Sequence, residues 1–227
     1  MIPIRDEIKT HRIPVVNYVL ILINVAVFLW AYVFNANPEA VYSEFAMFPY
    51  QIKQGLDLGD ARNILTSMFM HAGWFHLLGN MLYLWIFGDN IEDRLGHFKY
   101  LLFYLAGGVV AAFAHYFTNP SSTIPTVGAS GAIAAVLGAY LVIYPRSRVY
   151  TFIPIGYFAR LRLVPAVVVL TLWFILQLFS GVGSLGMGDQ GGTAYWAHIG
   201  GFVFGLLVGF LFRKNGREPQ PAPPSWN

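Results

Sequence analysis

Cysteine is missing from all 227 residues. Its absence excludes disulfides, thiolate nucleophiles and cysteine-held metals. Charge is scarce too. Asp, Glu, Lys and Arg make up 11% of the chain, while 56% is hydrophobic and 17% aromatic. An ordinary soluble domain is about 25% charged, so this composition fits a chain that crosses a bilayer several times. The first apolar run is long enough to span and no small-residue cleavage site follows it, so no removable leader is expected. No internal repeat is visible.

Six apolar stretches punctuate the chain. Residues 1–13 are polar and of mixed charge. Residues 14–34 form the first span, with Pro14 suited to a helix start. Residues 35–73 make a long outer connection. Its apolar runs at 45–49 and 64–70 are too short to cross a core of ~30 Å and read as interfacial or re-entrant. The other spans fall at 74–88, 98–117, 130–144, 164–179 and 194–212. Residues 149–162 read as a short amphipathic link, 181–192 as a glycine-rich loop, and 213–227 as a Pro-rich tail. The predicted fold class is therefore an all-α membrane protein, a six-transmembrane-helix bundle occupying residues 14–212.

Six alternating spans sort the polar segments into two sets. Of the 14 lysines and arginines, all except Lys53 and Arg62 fall in one set, with the two termini, 89–99 and 145–162. Positive charge marks the cytoplasmic side, so both termini are expected there. The same placement accounts for the net charge of +3 without a nucleic-acid partner. The short termini suggest a bacterial inner membrane.

Spans two, four and six then run from outside to inside, and each carries a polar group near its outer end. His76 and Asn80 sit one turn apart on one helix face. Ser130 lies in Gly128-Ala129-Ser130-Gly131 at the start of an apolar helix. His198 lies in Ala197-His198-Ile199-Gly200-Gly201. At ~1.5 Å per residue, Ser130 stands ~24 Å above Arg146, His198 ~22 Å above Arg213, and His76 ~20 Å above Asp89. Three helices thus place polar groups at one depth, where ionisable residues are costly and mark function. Gly201, Gly205 and Gly209 on span six, and Ser130, Ala134 and Gly138 on span four, form small-residue faces that let two backbones approach closely. That approach would bring His198 to Ser130, a nucleophile with its base. His76, Asn80 and the Ser130 N–H could donate to a developing oxyanion. No Asp or Glu is available at this depth, so a dyad is expected rather than a triad.

His76-x-x-x-Asn80, Gly128-x-Ser130-Gly131 and Ala197-His198-x-x-Gly201, in that order on alternate spans, resemble the rhomboid intramembrane serine proteases. The resemblance covers about residues 14–212 and includes Glu92-x-x-x-Gly96. It implies that Ser130 is the nucleophile and His198 the base, with Asn80, His76 and the Ser130 amide forming the oxyanion hole. Gly128, Gly131, Gly201 and Gly205 would support the packing. It also implies single-span membrane proteins as substrates, cut near the outer end of their span at small residues, with no metal or other cofactor. Span five would flex to admit the substrate, and the loop before span six would cap the site. Two positions depart from the family pattern. A Trp-Arg pair is replaced by Arg62-Asn63 ahead of Thr66, so the shape of the 35–70 connection does not carry over. An aromatic that would stack on the base is replaced by Ala134, which leaves Trp196, Tyr195 or a water to orient His198.

Other chemistries fit less well. Gly186-Met187-Gly188-Asp189 matches the Gly-x-Gly-Asp of intramembrane aspartyl proteases, but the nearest second aspartate, Asp89, lies at the opposite end of the spans. His71 and His76 lack the glutamate of a His-Glu-x-x-His metal site. The remaining alternatives are an inactive relative that binds transmembrane helices and a small transporter, although a transporter would more often show internal symmetry. Oligomeric state is not legible.

Overall fold

The computed structural model describes residues 1–155, 158–185 and 193–213. Its centre is one helix, α8 (Ser130–Ile143), buried at every residue from Gly131 to Tyr140. Small side chains let its neighbours come to backbone contact. On α10 (Tyr195–Phe212), a Cβ at Gly205 would lie 1.9 Å from the Ala135 carbonyl oxygen, and one at Gly201 2.1 Å from that of Gly131. From the other side, a Cβ at Gly138 would lie 2.1 Å from the Phe202 carbonyl oxygen. In lipid there is little hydrophobic drive between helices, so such close packing is what holds two of them together.

The remaining helices surround this pair. α1 (Val15–Phe28) continues as a π-helical turn to Val33. Its first N–H groups are satisfied from a distant segment: the Glu92 carboxylate accepts from Val16 N at 2.9 Å and Asn17 N at 2.6 Å. Asn17 donates to the Leu84 carbonyl at 3.0 Å and accepts from the Tyr100 hydroxyl at 2.7 Å. A buried carboxylate is tolerated there because it caps a helix N-terminus and is fully bonded. Three short helices fill the outer connection: α2 (Pro38–Phe45), α3 (Pro49–Gln54) and α4 (Leu58–Thr66). None is long enough to span, in keeping with the sequence reading. Arg62 stacks over Phe45, 5.1 Å from the ring centre, and donates to the Glu44 carbonyl at 2.9 Å. It thereby braces α4 against α2.

The second helical segment runs beyond the apolar stretch 74–88. α5 (Trp74–Tyr83), a π-helical turn (Leu84–Gly88) and α6 (Asp89–Leu95) follow without a break. α7 (His97–Thr118) comes next. α9 (Ala166–Ser184) starts and ends later than residues 164–179, so residues 181–184 are helical rather than loop. Among the described residues, four helices are long and apolar enough to cross a membrane: Val15–Val33, His97–Thr118, Ala166–Ser184 and Tyr195–Phe212; Ser130–Ile143 is apolar but shorter.

One expectation is overturned. The chain is mostly helical but not all-α. Residues 149–162 are not an amphipathic link but most of a hairpin, β2 (Arg148–Ile155) and β3 (Phe158–Pro165), which β1 (Ile2–Asp6) extends into a three-stranded antiparallel sheet. The physical reason is a period of two. Val149 and Thr151 are fully buried, while Phe152 between strands of bulky residues turns outward. The sheet lies at the end of the bundle away from Ser130, where Asp6 accepts from Tyr140 of α8 at 2.6 Å and from Asn90 of α6 at 2.9 Å. The Gly186–Asp189 motif and the tail from residue 214 onward lie outside the described residues.

Candidate active site

Ser130 is the first residue of α8, and Ala129 holds the cap position with no side-chain cap bond. The hydroxyl is therefore not spent on its own helix. It reaches His198 on α10, with Oγ 2.7 Å from Nε2. The close α8–α10 contact brings the two residues together, as the small-residue faces require. His198 is buried, and so is Asn80.

Asn80 carries an unspent donor. Its Nδ2 is buried with no hydrogen-bond partner among the described residues. A buried amide without a partner costs about 1–3 kcal/mol, so its retention points to a partner that arrives from outside. Its helix neighbour His76 accepts weakly from the Ala72 N–H through Nδ1 at 3.4 Å. The far edge of that ring lies over Gly128. A Cβ at Gly128 would sit 2.8 Å from both Cε1 and Nε2 of His76, and the backbone there has φ 128°. Glycine is thus needed twice at this position, for the turn into α8 and for the ring above it. The Ser67 carbonyl holds the turn from behind, accepting from the Gly128 N–H at 2.9 Å. Gly131 packs on Ala111 of α7, and Gly201 and Gly205 on α8.

His76, Asn80, Ser130 and His198 all line one cavity of about 1140 Å³, which Trp173, Tyr195 and Trp196 also border. The arrangement places a hydroxyl, a base and an unpaired donor on a shared space. The first N–H groups of α8, which opens at Ser130, have no partners within the helix.

The sequence reading of what orients His198 is corrected. Trp196 donates its Nε1–H to the Gly181 carbonyl at 3.1 Å and not to His198. The partner is Gln177 of α9, whose Oε1 lies 2.7 Å from His198 Nδ1. The ring beside the imidazole comes from α9 as well: Trp173 lies 5.8 Å away between centres, at 34°. Position 134 has no room for an aromatic side chain. Ala134 is fully buried, and its Cβ would lie 3.4 Å from one placed on Gly201. Gln177 was missed, although a signal existed. It is an amide well inside the apolar helix Ala166–Ser184. An amide at mid-span seeks a polar partner.

Helices of this length and hydropathy, with a cavity among them, define a helical membrane protein. A family model described as the Rhomboid domain matches residues 59–215, which is more than half of the chain. The chain belongs to the rhomboid family and is an integral, multi-pass membrane protein. Among similar proteins is RHOMBOID-like protein 1 of Arabidopsis thaliana, 35% identical over 66% of this chain and 34% of that protein. Presenilin-associated rhomboid-like protein A, mitochondrial, of Danio rerio is 29% identical over 72% of this chain and 41% of its own length. YdcA of Bacillus subtilis (strain 168), provisionally named a rhomboid protease, is 32% identical over 56% of this chain and 61% of its own length. The chain thus spans about a third to two fifths of the plant and fish relatives it matches.

Proposed function

We propose that the protein is an intramembrane serine endopeptidase that cleaves transmembrane-protein substrates through a Ser130–His198 dyad. The observation that carries this reading is the 2.7 Å contact between Ser130 Oγ and His198 Nε2 at the wall of a large cavity. In the first step His198 Nε2 takes the proton of Ser130 Oγ as that oxygen attacks the scissile carbonyl carbon. The carbonyl oxygen gains negative charge and is met by Asn80 Nδ2, His76 and the Ser130 N–H at the positive end of α8. His198 then gives its proton to the leaving amine, and an acyl-enzyme remains on Ser130. Water, activated by the same base, releases the acid and restores the serine. No cofactor takes part in this scheme. His76 and Asn80 act as donors only, and Gly128, Gly131, Gly201 and Gly205 hold the elements in place.

The wider topology belongs to the same proposal. Six crossings, with α5–α6 as the second and α8 as the fourth, put both termini and the sheet on the cytoplasmic side and the cavity toward the outer side. The basic residues support this orientation. The relatives include proteins of a plant, a fish and a bacterium, so residence in a bacterial inner membrane is also a proposal.

The test is cleavage of a single-span substrate protein in proteoliposomes. Wild type should cut it near the outer end of its span and Ser130→Ala should not, with both proteins equally folded. Asn80→Ala should lower kcat ~100-fold or more with little change in KM, because the donor matters mainly in the transition state. Substrate capture without cleavage by wild type would favour the inactive-binder reading instead.

A further inference from the structure

A base that accepts a proton through Nε2 must carry its own proton on Nδ1. In His198 that second nitrogen faces Gln177 Oε1 at 2.7 Å. The amide oxygen can only accept, so the contact is an Nδ1–H donating to it. A neutral imidazole then has Nε2 free for the Ser130 hydroxyl, 2.7 Å away on the other edge. Ser130, His198 and Gln177 form one line of hydrogen bonds across three helices, α8, α10 and α9.

The third helix is the loosely held one. Of the four long apolar helices, Ala166–Ser184 has the smallest buried share, 22%. Its outward side exposes Leu172, Leu176 and Phe179. Its inward side buries Val169 and Leu170, Phe174 stacks on Phe202 at 4.4 Å and Trp173 meets it at 6.0 Å, and near its end the Gly181 carbonyl accepts from Trp196 Nε1 at 3.1 Å. The apolar contacts can slide with little loss. The bond at Gln177 is directional and short, so it persists only while α9 sits against α10.

We propose that Gln177 is a positioning residue: it fixes the Nδ1–H form and the ring angle of His198, and so makes the readiness of the base depend on the seating of α9. During the reaction the Ser130 proton moves to Nε2 while the Nδ1 proton stays in place. The transient imidazolium then donates more strongly to Gln177 Oε1, as a charged donor does. This inference rests on the Ser130–His198 reading.

Two variants and two readouts test it. Gln177→Met keeps the length of the side chain and removes the oxygen; Gln177→Glu keeps an acceptor. A structural role in an apolar span would favour Met over Glu, whereas the positioning role favours Glu. With a fluorophosphonate probe on the detergent-purified protein, Gln177→Met should react about 10- to 100-fold more slowly than wild type, a range typical of lost second-layer partners. Gln177→Glu should stay within about threefold of wild type, since a single neutral bond is exchanged for another acceptor. Equal rates for Met and wild type, or equal losses for Met and Glu, would overturn the proposal while leaving the dyad intact. The second readout does not need activity. In nitrogen-15 spectra of histidine-labelled protein, with His198 assigned from His198→Ala, the protonated nitrogen of wild type should be Nδ1, and Gln177→Met should lose that preference. Protonation of wild-type His198 on Nε2 would overturn it whether or not the protein reacts with the probe.

Discussion

Ser130, His198 and His76 could be read from the chain because each is a polar group at one height above the cytoplasmic charges, and Asn80 because it lies one turn from His76 on the same face. A depth ruler needs only the helical rise and the position of the arginines. It reports height but not facing, so Gln177 could not be tied to His198 until α9 was placed beside α10. The half-buried aspartate at the arginine-rich end of the bundle was less legible still. Asp6 is pushed up to about 6 by burial, from an ordinary value of 3.8. Its folded value is raised, so between about pH 4 and pH 6 the native state holds more protons than the unfolded chain, and stability falls as pH rises through that window. Above it the loss is complete. Thermal unfolding in detergent should therefore show a lower Tm at pH 8 than at pH 5, and Asp6→Asn should narrow that difference. An unchanged pH profile in the variant would remove Asp6 from the account.

At the scale of elements, the α8–α10 pair was legible from small residues spaced four apart, and it is where the fold is least tolerant. A Cβ at Gly205 would lie 1.9 Å from a carbonyl oxygen of the partner helix, which cannot swing aside as a side-chain tip can. Gly205→Val should destabilise by about 3 kcal/mol or more through forced separation of the helices. Gly79→Ala on α5 is the matched control: nothing lies within 4 Å of the added carbon, and removing a mid-helix glycine should stabilise by about 0.5–1 kcal/mol. Unfolding midpoints of the two variants check both signs. The sheet escaped the sequence reading for an instructive reason. Arg160 and Arg162 drew attention as topological markers, while the alternation of Val149 and Thr151 with Tyr150 and Phe152 was the structural signal. Thr151 pairs directly with Arg162, so one segment serves both purposes. α1 hid its anchor in the same way, since the Glu92 carboxylate that caps it lies 76 residues from Val16.

Over the whole molecule, function follows from what each layer of helices is allowed to do. The buried pair α8 and α10 fixes the serine against its base. α5 lines the same cavity and offers the Nδ2 of Asn80, which has no partner among the described residues. α9, most exposed of the long apolar helices, touches the base through one polar side chain. Membership of the rhomboid family and the geometry of the cavity both support the proposed serine-type proteolysis, which no single helix would suggest. The most direct measurement is covalent labelling of the detergent-purified protein by a fluorophosphonate, with wild type beside Ser130→Ala and His198→Ala. The account predicts that wild type is labelled and neither variant is. Labelling that persists in Ser130→Ala, or a folded wild type that takes no label, would contradict it.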